Sequence, residues 1–213
     1  MRSVTYSMGV SLDGYIAGPD GDFDWTAPDE EVFRFVTDEI REVGVHLLGR
    51  RLYETMLYWE TADQDPSLDD SMLEWAAIWK RLPKVVFSTT LSAVHGNARL
   101  VSGGLAEEIE RLRAEPAEPA EGDIAIGGAT LAAEAGALGL IDEYRARVYP
   151  VLVGGGIPFC SRSERSSDLG SSAICTARRR RPSRICRWIV NITPQQQGKR
   201  CRLRHFIALW NGP

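Results

Sequence analysis

The alternation of hydrophobic and polar residues is clearest at the start of the chain, where Val4, Tyr6 and Met8 are separated by Thr5 and Ser7. An alternation with a period of two residues predicts a β-strand. Further along, short continuous apolar segments lie between turn residues, which is typical of strands buried on both faces. The predicted strands are residues 4–10, 45–48, 84–88, 123–126 and 143–153.

A second pattern, with apolar residues three or four positions apart, occupies the segments between these strands. Val32, Val36 and Ile40 share one face of a helix that begins close to Asp29. The predicted helices are residues 29–43, 49–56, 72–80, 105–112 and 129–138. Strands that alternate with helices are typical of βαβ units. The sequence therefore predicts an α/β fold with helices on both faces of a mostly parallel sheet.

Charge divides the chain at about residue 159. Residues 1–159 carry 13 basic and 27 acidic side chains, whereas residues 160–213 carry 12 basic and 2 acidic side chains. The formal net charge of −4 is therefore the sum of −14 and +10. All four cysteines and the consecutive arginines at 178–181 lie in the second part. We predict one domain over 1–159 and an atypical basic tail over 160–213, in which 186–193 and 202–210 could each form a strand.

Several classes of function are disfavoured by composition. No apolar segment approaches the roughly 18 residues of a membrane span, and the first ten residues lack the apolar core of a signal peptide, so we expect a cytoplasmic protein. The four cysteines are 15, 11 and 15 positions apart without a CxxC pair, which disfavours a zinc site or a disulfide framework. A nucleic-acid arm in the tail is disfavoured because the acidic first part would repel phosphate.

Phosphate-binding groups follow three of the predicted strands. Gly127 and Gly128 come directly after one strand and before a helix, where backbone N–H groups favour an anion. Arg50 and Arg51 end another strand, and the hydroxyl side chains of 88–90 end a third. Because the carboxyl ends of parallel strands meet at one edge of a sheet, these groups predict a nucleotide site there. A tight turn that needs a positive φ is the alternative explanation of the glycine pair.

Four motifs occur in order over residues 3–159: VSLDGYIAGPDGDFDW, LLGRRLYET, VVFSTT and IAIGGATLAAEAGALGLIDEYRARVYPVLVGGGIPF. Their order and spacing resemble the dihydrofolate reductase-like superfamily, and above all its branch related to the reductase domain of riboflavin biosynthesis. The resemblance implies a three-layer α/β/α fold with a mixed, mainly parallel sheet and NADPH across the strand ends. It also implies hydride transfer to a C=N or C=O group of a small heterocyclic or carbonyl substrate. A homodimer is a further expectation, since relatives often pair through the sheet edge.

The resemblance also implies which residues bind the cofactor. Arg50 matches the arginine that approaches the adenosine 2′-phosphate, and Gly127 and Gly128 match the glycine pair under the pyrophosphate. Gly9 and Ile16 match positions whose backbone holds the nicotinamide carboxamide. The full set of expected cofactor-binding residues is Gly9, Ile16, Gly49, Arg50, Arg51, Ser88, Thr89, Gly127, Gly128, Ala129 and Thr130.

Four further residues are expected at the reacting end of the site. Asp13, in the SLDG motif, and Asp29, near the position of the pterin-binding acid of dihydrofolate reductases, are the expected catalytic carboxylates. A turn-forming Asp13 and a helix-capping Asp29 are the alternatives. Trp25 and Tyr53 are expected to line the substrate pocket, with aromatic core packing as the alternative.

The sequence departs from these relatives at three places. Ile126 replaces the acid that riboflavin-pathway reductases usually carry before the glycine pair, and Leu52 replaces a phosphate-contacting threonine of dihydrofolate reductases. After Phe159 the composition changes abruptly, which a frameshift near this point would explain; sequencing of the gene tests that hypothesis.

The leading interpretation of the sequence is an NADPH-dependent oxidoreductase with a small-molecule substrate. A riboflavin-pathway 5-amino-6-(5-phosphoribosylamino)uracil reductase is one alternative, although Ile126 counts against it. A non-catalytic nucleotide-binding protein is the other, and cofactor binding without turnover would favour it.

Overall fold

The structure, a computed structural model, describes residues 2–115, 122–160, 169–172 and 188–194, the last two ranges by their backbone. The strands are β1 (Val4–Ser11), β2 (Tyr15–Ala17), β3 (Val43–Gly49), β4 (Lys84–Phe87), β5 (Ala98–Val101), β6 (Asp123–Gly127), β7 (Glu143–Tyr149), β8 (Ile157–Pro158), β9 (Leu169–Ser172) and β10 (Trp188–Pro194). The α-helices are α1 (Glu30–Arg41), α2 (Arg50–Met56), α3 (Tyr58–Thr61), α4 (Asp70–Arg81), α5 (Leu105–Ala114) and α6 (Ala129–Ala137).

The central sheet has the strand order β5-β4-β3-β6-β1-β7-β10-β9. The six strands from β5 to β7 are all parallel to one another. β10 pairs antiparallel with β7, and β9 pairs antiparallel with β10, so the sheet is mixed but mainly parallel. The predicted fold class is therefore confirmed. β2 and β8 form a separate two-stranded ribbon.

The two faces of the sheet are covered by different helices, as successive residues of β3 show. Leu47 packs with the apolar residues of α5 and α6, whereas Leu48 packs with those of α1 and α4. The first core includes Ile109 and Ala135, and the second includes Trp79. All five side chains are almost completely buried. The result is the three-layer α/β/α arrangement. No helix within the described ranges is both long and apolar enough to cross a membrane.

Predicted and observed elements differ mainly at their ends. The strand predicted over 143–153 ends at Tyr149, because Pro150 has no N–H group to offer the sheet. The short β5 was not predicted, since its four residues include the exposed Arg99 and show no clear alternation. β2 and β8 were not predicted either, because they contain only three and two residues, too few to show a pattern.

The basic tail is described in part. β10 overlaps the predicted segment 186–193 and extends one residue beyond it, so a strand in this segment is confirmed. The predicted strand at 202–210, the arginines at 178–181 and most of the acidic linker at 114–122 lie outside the described residues. The domain boundary at residue 159 stays a prediction.

A partly buried histidine and a buried lysine lie side by side where α4 covers the sheet. The register of β3 and β4 places His46 beside Lys84. The His46 ring packs edge-on against Trp79, with ring centroids 5.6 Å apart, and its Nδ1 has no hydrogen-bond partner among the described residues. Lys84 Nζ donates to the carbonyl oxygens of Trp79 and Leu82 and pairs with Glu60. Burial, together with the Lys84 charge, lowers the pKa of His46 to about 4.

The His46→Leu variant should show a flatter acid dependence of stability than the unmodified protein. An unfolded histidine has a pKa of 6.5, so between pH 6.5 and about 4 the unfolded chain binds a proton that the folded chain does not. Lowering the pH across this range therefore reduces the free energy of unfolding, by up to about 3 kcal/mol from His46 alone. Urea unfolding at several pH values measures the slope.

The exposed His95 provides the matched control. His95→Gln should leave the acid dependence of stability as it is in the unmodified protein. An equal slope in the His46→Leu variant would contradict the burial of a neutral His46.

Candidate functional site

A cleft of about 1050 Å³ lies along the carboxyl ends of the parallel strands. Residues from the ends of β5, β4, β3, β6, β1 and β7 line it, because parallel pairing places these ends at one edge of the sheet. One part, here the glycine half, is built from residues 49–51, 88–90, 102–104 and 128–130. The other part, the aromatic half, is built mainly from Phe23, Phe33, Trp59, Trp75 and Tyr149.

Glycines bring the two central strand ends of the cleft together. Gly128 has a φ of +98°, which other residues adopt only with strain. A Cβ atom on Gly128 would lie 3.9 Å from the Gly49 nitrogen, and one on Gly49 would meet open space. Gly127 is buried, and a Cβ there would come within 2.5 Å of Leu52 Cδ2. Gly49 and Gly128 therefore form a cradle of bare backbone that a phosphate can approach closely.

Two helices begin at the cleft, α5 after Gly104 and α6 after Gly128. Both glycines line the cleft and have a positive φ. The first N–H groups of a helix have no partner within it, and the helix dipole adds a partial positive charge at that end. These helix starts make the backbone of the glycine half electropositive.

Charged and hydroxyl side chains complete the glycine half. Arg50 pairs with Glu54 one helical turn away, at 3.4 Å. Arg51 is exposed and has no ionic partner among the described residues. Ser88 Oγ accepts hydrogen bonds from two N–H groups of its own turn, both at 3.1 Å, so its proton remains for the Thr90 hydroxyl or for a ligand. The glycine half thus offers guanidinium and hydroxyl donors that suit a phosphorylated ligand.

The loop that carries these hydroxyls is held to α2 by a hydrogen bond outside the cleft. Tyr53 is almost fully buried, and its hydroxyl accepts a hydrogen bond from the His95 N–H group at 2.6 Å. Tyr53 does not line the cleft. The structure places it in the core, as in the core-packing alternative.

The aromatic half has a continuous wall of rings. Phe33, Trp59 and Trp75 contact one another, with centroid distances of 5.9 to 6.4 Å. Trp25 packs edge-on against Tyr149 at 5.8 Å and does not itself line the cleft, so it supports the wall from behind. The aliphatic lining residues of this half are Ile16, Val32, Val36, Met56 and Ile157.

An ion network lies beside this wall, on the face of β7 that α1 covers. Arg147 Nη1 donates to Ser7 Oγ at 2.6 Å and to Glu39 Oε2 at 2.8 Å. Arg145 pairs with the other Glu39 oxygen at 3.2 Å and with Glu143 at 2.7 Å. Arg147 lines the cleft, whereas Arg145 does not. Each positive charge of the network therefore has a carboxylate partner.

Asp13, one expected catalytic carboxylate, does not line the cleft. Its carboxylate accepts hydrogen bonds from the N–H groups of Val153 and Gly154, at 3.2 and 2.8 Å. Desolvation opposes ionisation, but hydrogen bonds from Ser11 and these amides outweigh it and hold the pKa of Asp13 below its usual value. Asp13 thus joins the turn after β1 to the turn after β7, as in the turn-forming alternative.

Asp29, the other expected catalytic carboxylate, lies at the start of α1 and also does not line the cleft. Its carboxylate accepts a hydrogen bond from the Val32 N–H group at 2.9 Å. This is the geometry of a helix N-cap, as in the capping alternative. Within the described residues, no group of three or more His, Cys, Asp or Glu side chains is arranged to hold a metal ion.

The structure brings most of the expected cofactor-binding residues to one cleft. Those that line it are Gly9, Ile16, Gly49, Arg50, Arg51, Ser88, Thr89, Gly128, Ala129 and Thr130. Of all the expected site residues, those that do not line the cleft are Asp13, Trp25, Asp29, Tyr53 and Gly127. Gly127 packs beneath the cradle. What any of them does to a ligand stays a prediction.

Sequence reasoning missed three contributions to the cleft: the aromatic wall, the segment 102–104 and Arg147. The segment follows the strand β5, which was itself missed. Arg147 had a signal, since Arg145 and Arg147 alternate with apolar residues inside a predicted strand. Charges at that spacing in a central strand indicate carboxylate partners from a covering helix.

The chain shares its α/β fold with solved structures that include a dihydrofolate reductase. More narrowly, residues 2–179 match the RibD C-terminal domain, and the chain belongs to that reductase-like family. The match extends beyond residue 159 into the basic tail.

Individual relatives agree with this placement. The uncharacterized protein YyaP of Bacillus subtilis (strain 168) is 29% identical over 158 residues, which are 74% of this chain and 79% of YyaP. A putative riboflavin biosynthesis protein from Shewanella sp. PV-4 superposes with a TM-score of 0.63 at 22% identity, over 92% of this chain and 100% of that one.

Two further structures share the fold at lower identity. Dihydrofolate reductase from Enterococcus faecalis, in complex with NADP(H) and RAB-propyl, superposes with a TM-score of 0.56 at 14% identity, over 91% of this chain and 97% of that one. A diaminohydroxyphosphoribosylaminopyrimidine deaminase/5-amino-6-(5-phosphoribosylamino)uracil reductase from Thermotoga maritima gives 0.58 at 15% identity, over 91% of this chain and 57% of that one.

The Asp29→Ala variant should be about 1 kcal/mol less stable than the unmodified protein, because α1 loses its N-cap. Asp29→Ser keeps a capping oxygen and should retain most of that stability. Urea unfolding of both variants at pH 7 measures the difference. Equal losses in the two variants would speak against the capping role.

Proposed function

We propose that this protein is an NADPH-dependent oxidoreductase that transfers a hydride to a small heterocyclic or carbonyl substrate. The observation that carries the proposal is the bare cradle of Gly49 and Gly128 at the edge of a parallel sheet. Backbone N–H groups at a helix start, with no side chain above them, suit a pyrophosphate. Membership of a reductase-like family supports the same function.

The residues of the glycine half fit a dinucleotide phosphate. In this proposal the backbone at Gly128 lies under the pyrophosphate, and Arg51 directs its unbalanced charge at the same group. Arg50, together with the hydroxyls of Ser88 and Thr89, binds the 2′-phosphate. Arg50 must then exchange its 3.4 Å pairing with Glu54 for the phosphate, which is inexpensive because exposed ion pairs contribute little stability.

The chain contributes to the reaction mainly by positioning the cofactor and the substrate. A reduced nicotinamide cofactor supplies the hydride when it is bound. A Cβ atom on Gly9 would lie 3.0 Å from Tyr149 Cε2, so glycine at this position lets the Tyr149 ring pack closely against β1. Among the described lining residues the one carboxylate is Glu134, on α6 beside the glycine half. The protein therefore acts by holding two reactants together, rather than through a carboxylic acid in the aromatic half.

A reductase of the riboflavin pathway is the second candidate. The family match and the name of the Thermotoga protein favour it. Turnover of 5-amino-6-(5-phosphoribosylamino)uracil by the purified protein with NADPH tests this candidate. Bound NADPH without turnover of that compound would reject the candidate and leave the general proposal in place.

The Arg50→Ala variant should bind NADPH about tenfold to a hundredfold more weakly, because a charge-assisted hydrogen bond contributes about 1.5–3 kcal/mol. NADH, which lacks the 2′-phosphate, should bind almost unchanged. Calorimetric titration of both cofactors measures the two affinities. Arg81→Ala is the matched control, since Arg81 ends α4 just before β4, at the opposite end of the strands.

Two outcomes of these titrations count against the proposals. Losses of equal size for NADPH and NADH would remove the assignment of Arg50 to the 2′-phosphate. Failure of the folded, unmodified protein to bind either cofactor would end the proposed function itself.

The Gly128→Ala variant should weaken NADPH and NADH to the same extent, because its methyl group occupies the cradle that either pyrophosphate needs. Gly139→Ala is the control: Gly139 also has a positive φ, of +69°, and a Cβ there meets no atom within 4 Å. Both substitutions impose backbone strain of about 1–3 kcal/mol, and the larger strain is expected at Gly128, whose ψ of 128° lies outside the left-handed helical region. Unfolding measurements give the loss of stability in each folded variant, and only Gly128→Ala should weaken cofactor binding.

A further inference from the structure

Arg147 is the one basic residue among the described residues that line the aromatic half. Its Nη1 is occupied by Ser7 and Glu39. Its Nε and Nη2 have no hydrogen-bond partner among the described residues, although the side chain is only 17% exposed. Because Arg147 lines the cleft, these N–H groups are available to a ligand that enters it.

The charge of Arg147 is already balanced within the protein. Glu39, itself only 12% exposed, lies 2.8 Å from Arg147 Nη1. Its second oxygen pairs with Arg145, which has Glu143 as a further partner. The group therefore has two positive and two negative charges. Such a site offers hydrogen-bond donors without net charge, and this favours a neutral acceptor over an anion that must be stripped of water.

The surroundings of Arg147 select for an apolar ligand. The rings of Phe33, Trp59 and Trp75 and the neighbouring aliphatic side chains provide flat, hydrophobic walls. Aromatic walls of this kind bind planar molecules by burying apolar area and by stacking. Polar anchors are few, as is usual in small-molecule pockets, and they decide which atom of the ligand lies where.

The register of the sheet places Arg147 next to β1. Gly9 of β1 is paired with Arg147 of β7, and neighbouring strands are about 4.8 Å apart. Arg147 Nη1 lies 2.6 Å from Ser7 Oγ, two residues before Gly9 on β1, so an acceptor atom held by Arg147 lies beside β1.

We propose that the aromatic half binds a neutral, planar carbonyl compound whose carbonyl oxygen accepts hydrogen bonds from Arg147. This inference deepens the proposed function and rests on it, because the carbonyl is then the group that is reduced: its carbon would accept the hydride of a bound nicotinamide cofactor, and its oxygen would take a proton from solvent water to give the alcohol. A hydrogen bond from Arg147 also draws electron density toward the oxygen, which makes the carbonyl carbon a better hydride acceptor. A phosphorylated pyrimidine fits less well, since the described residues of this half offer no unbalanced cation.

Four naphthalenes that differ in one substituent test the inference by calorimetry, without cofactor. They are 2-acetylnaphthalene, 2-isopropylnaphthalene, 2-naphthoate and 2-naphthyl phosphate. The ketone should bind at least about tenfold more tightly than its hydrocarbon isostere, because only the ketone accepts a hydrogen bond from a charged donor. It should also bind more tightly than either anion.

Two variants locate the preference in Arg147. Arg147→Met should reduce the affinity for the ketone to that for the hydrocarbon, a loss of about tenfold, and leave the hydrocarbon unchanged. Arg145→Met removes the same charge from the same network without touching the cleft, so the preference for the ketone should persist. Glu39 keeps one arginine partner in each variant.

The outcomes that overturn the inference are distinct from those that overturn the proposed function. Tighter binding of naphthyl phosphate than of the ketone, equal binding of ketone and hydrocarbon, an unchanged preference in Arg147→Met, or no binding of any probe would each reject it. If Arg147→Met does not fold, the order of the four ligands on the unmodified protein decides. A parallel NADPH titration tests the proposed function separately, since its result does not depend on the naphthalenes.

Discussion

Parallel pairing of six neighbouring strands is the constraint on which the rest of the structure depends. A parallel strand cannot be reached by a tight turn, so the chain must cross over one face of the sheet before it returns. These crossovers supply the helices that cover both faces, and they leave every strand end at the same edge. The cleft is a consequence of this connectivity, because the segments that follow β3, β4, β5 and β6 have no other place to lie.

The two halves of the cleft differ in their charge balance. The glycine half contains backbone N–H groups and Arg51, whose charge has no ionic partner among the described residues. It therefore attracts negative charge. The aromatic half contains a guanidinium whose charge Glu39 neutralises. Close charges of opposite sign interact strongly where water is largely excluded, so this pairing is much firmer than the exposed pair of Arg50 and Glu54. One half is suited to an anion, and the other to a neutral molecule.

The sequence predicts the layers of the fold well, because the sheet and helix periods are set by local burial. Val4, Tyr6 and Leu47 are buried where alternation and apolar runs indicate strands. The glycine half was also predictable, since strand-end residues need only the chain order to be placed. Side-chain partners were not predictable: Asp13 accepts from amides 140 and 141 positions away, and no local pattern reveals such a partner.

The hydrogen bonding of β10 to β7 has a consequence for how the tail affects the cleft. The register sets Ile189 opposite Arg147, so β10 supports the strand that carries the anchor of the aromatic half. Every described residue that lines the cleft precedes Pro158. A backbone ladder is built from N–H and C=O groups, which every residue except proline supplies in full. Within the described residues, β10 therefore acts on the cleft through the backbone of β7 and contributes no side chain to the lining.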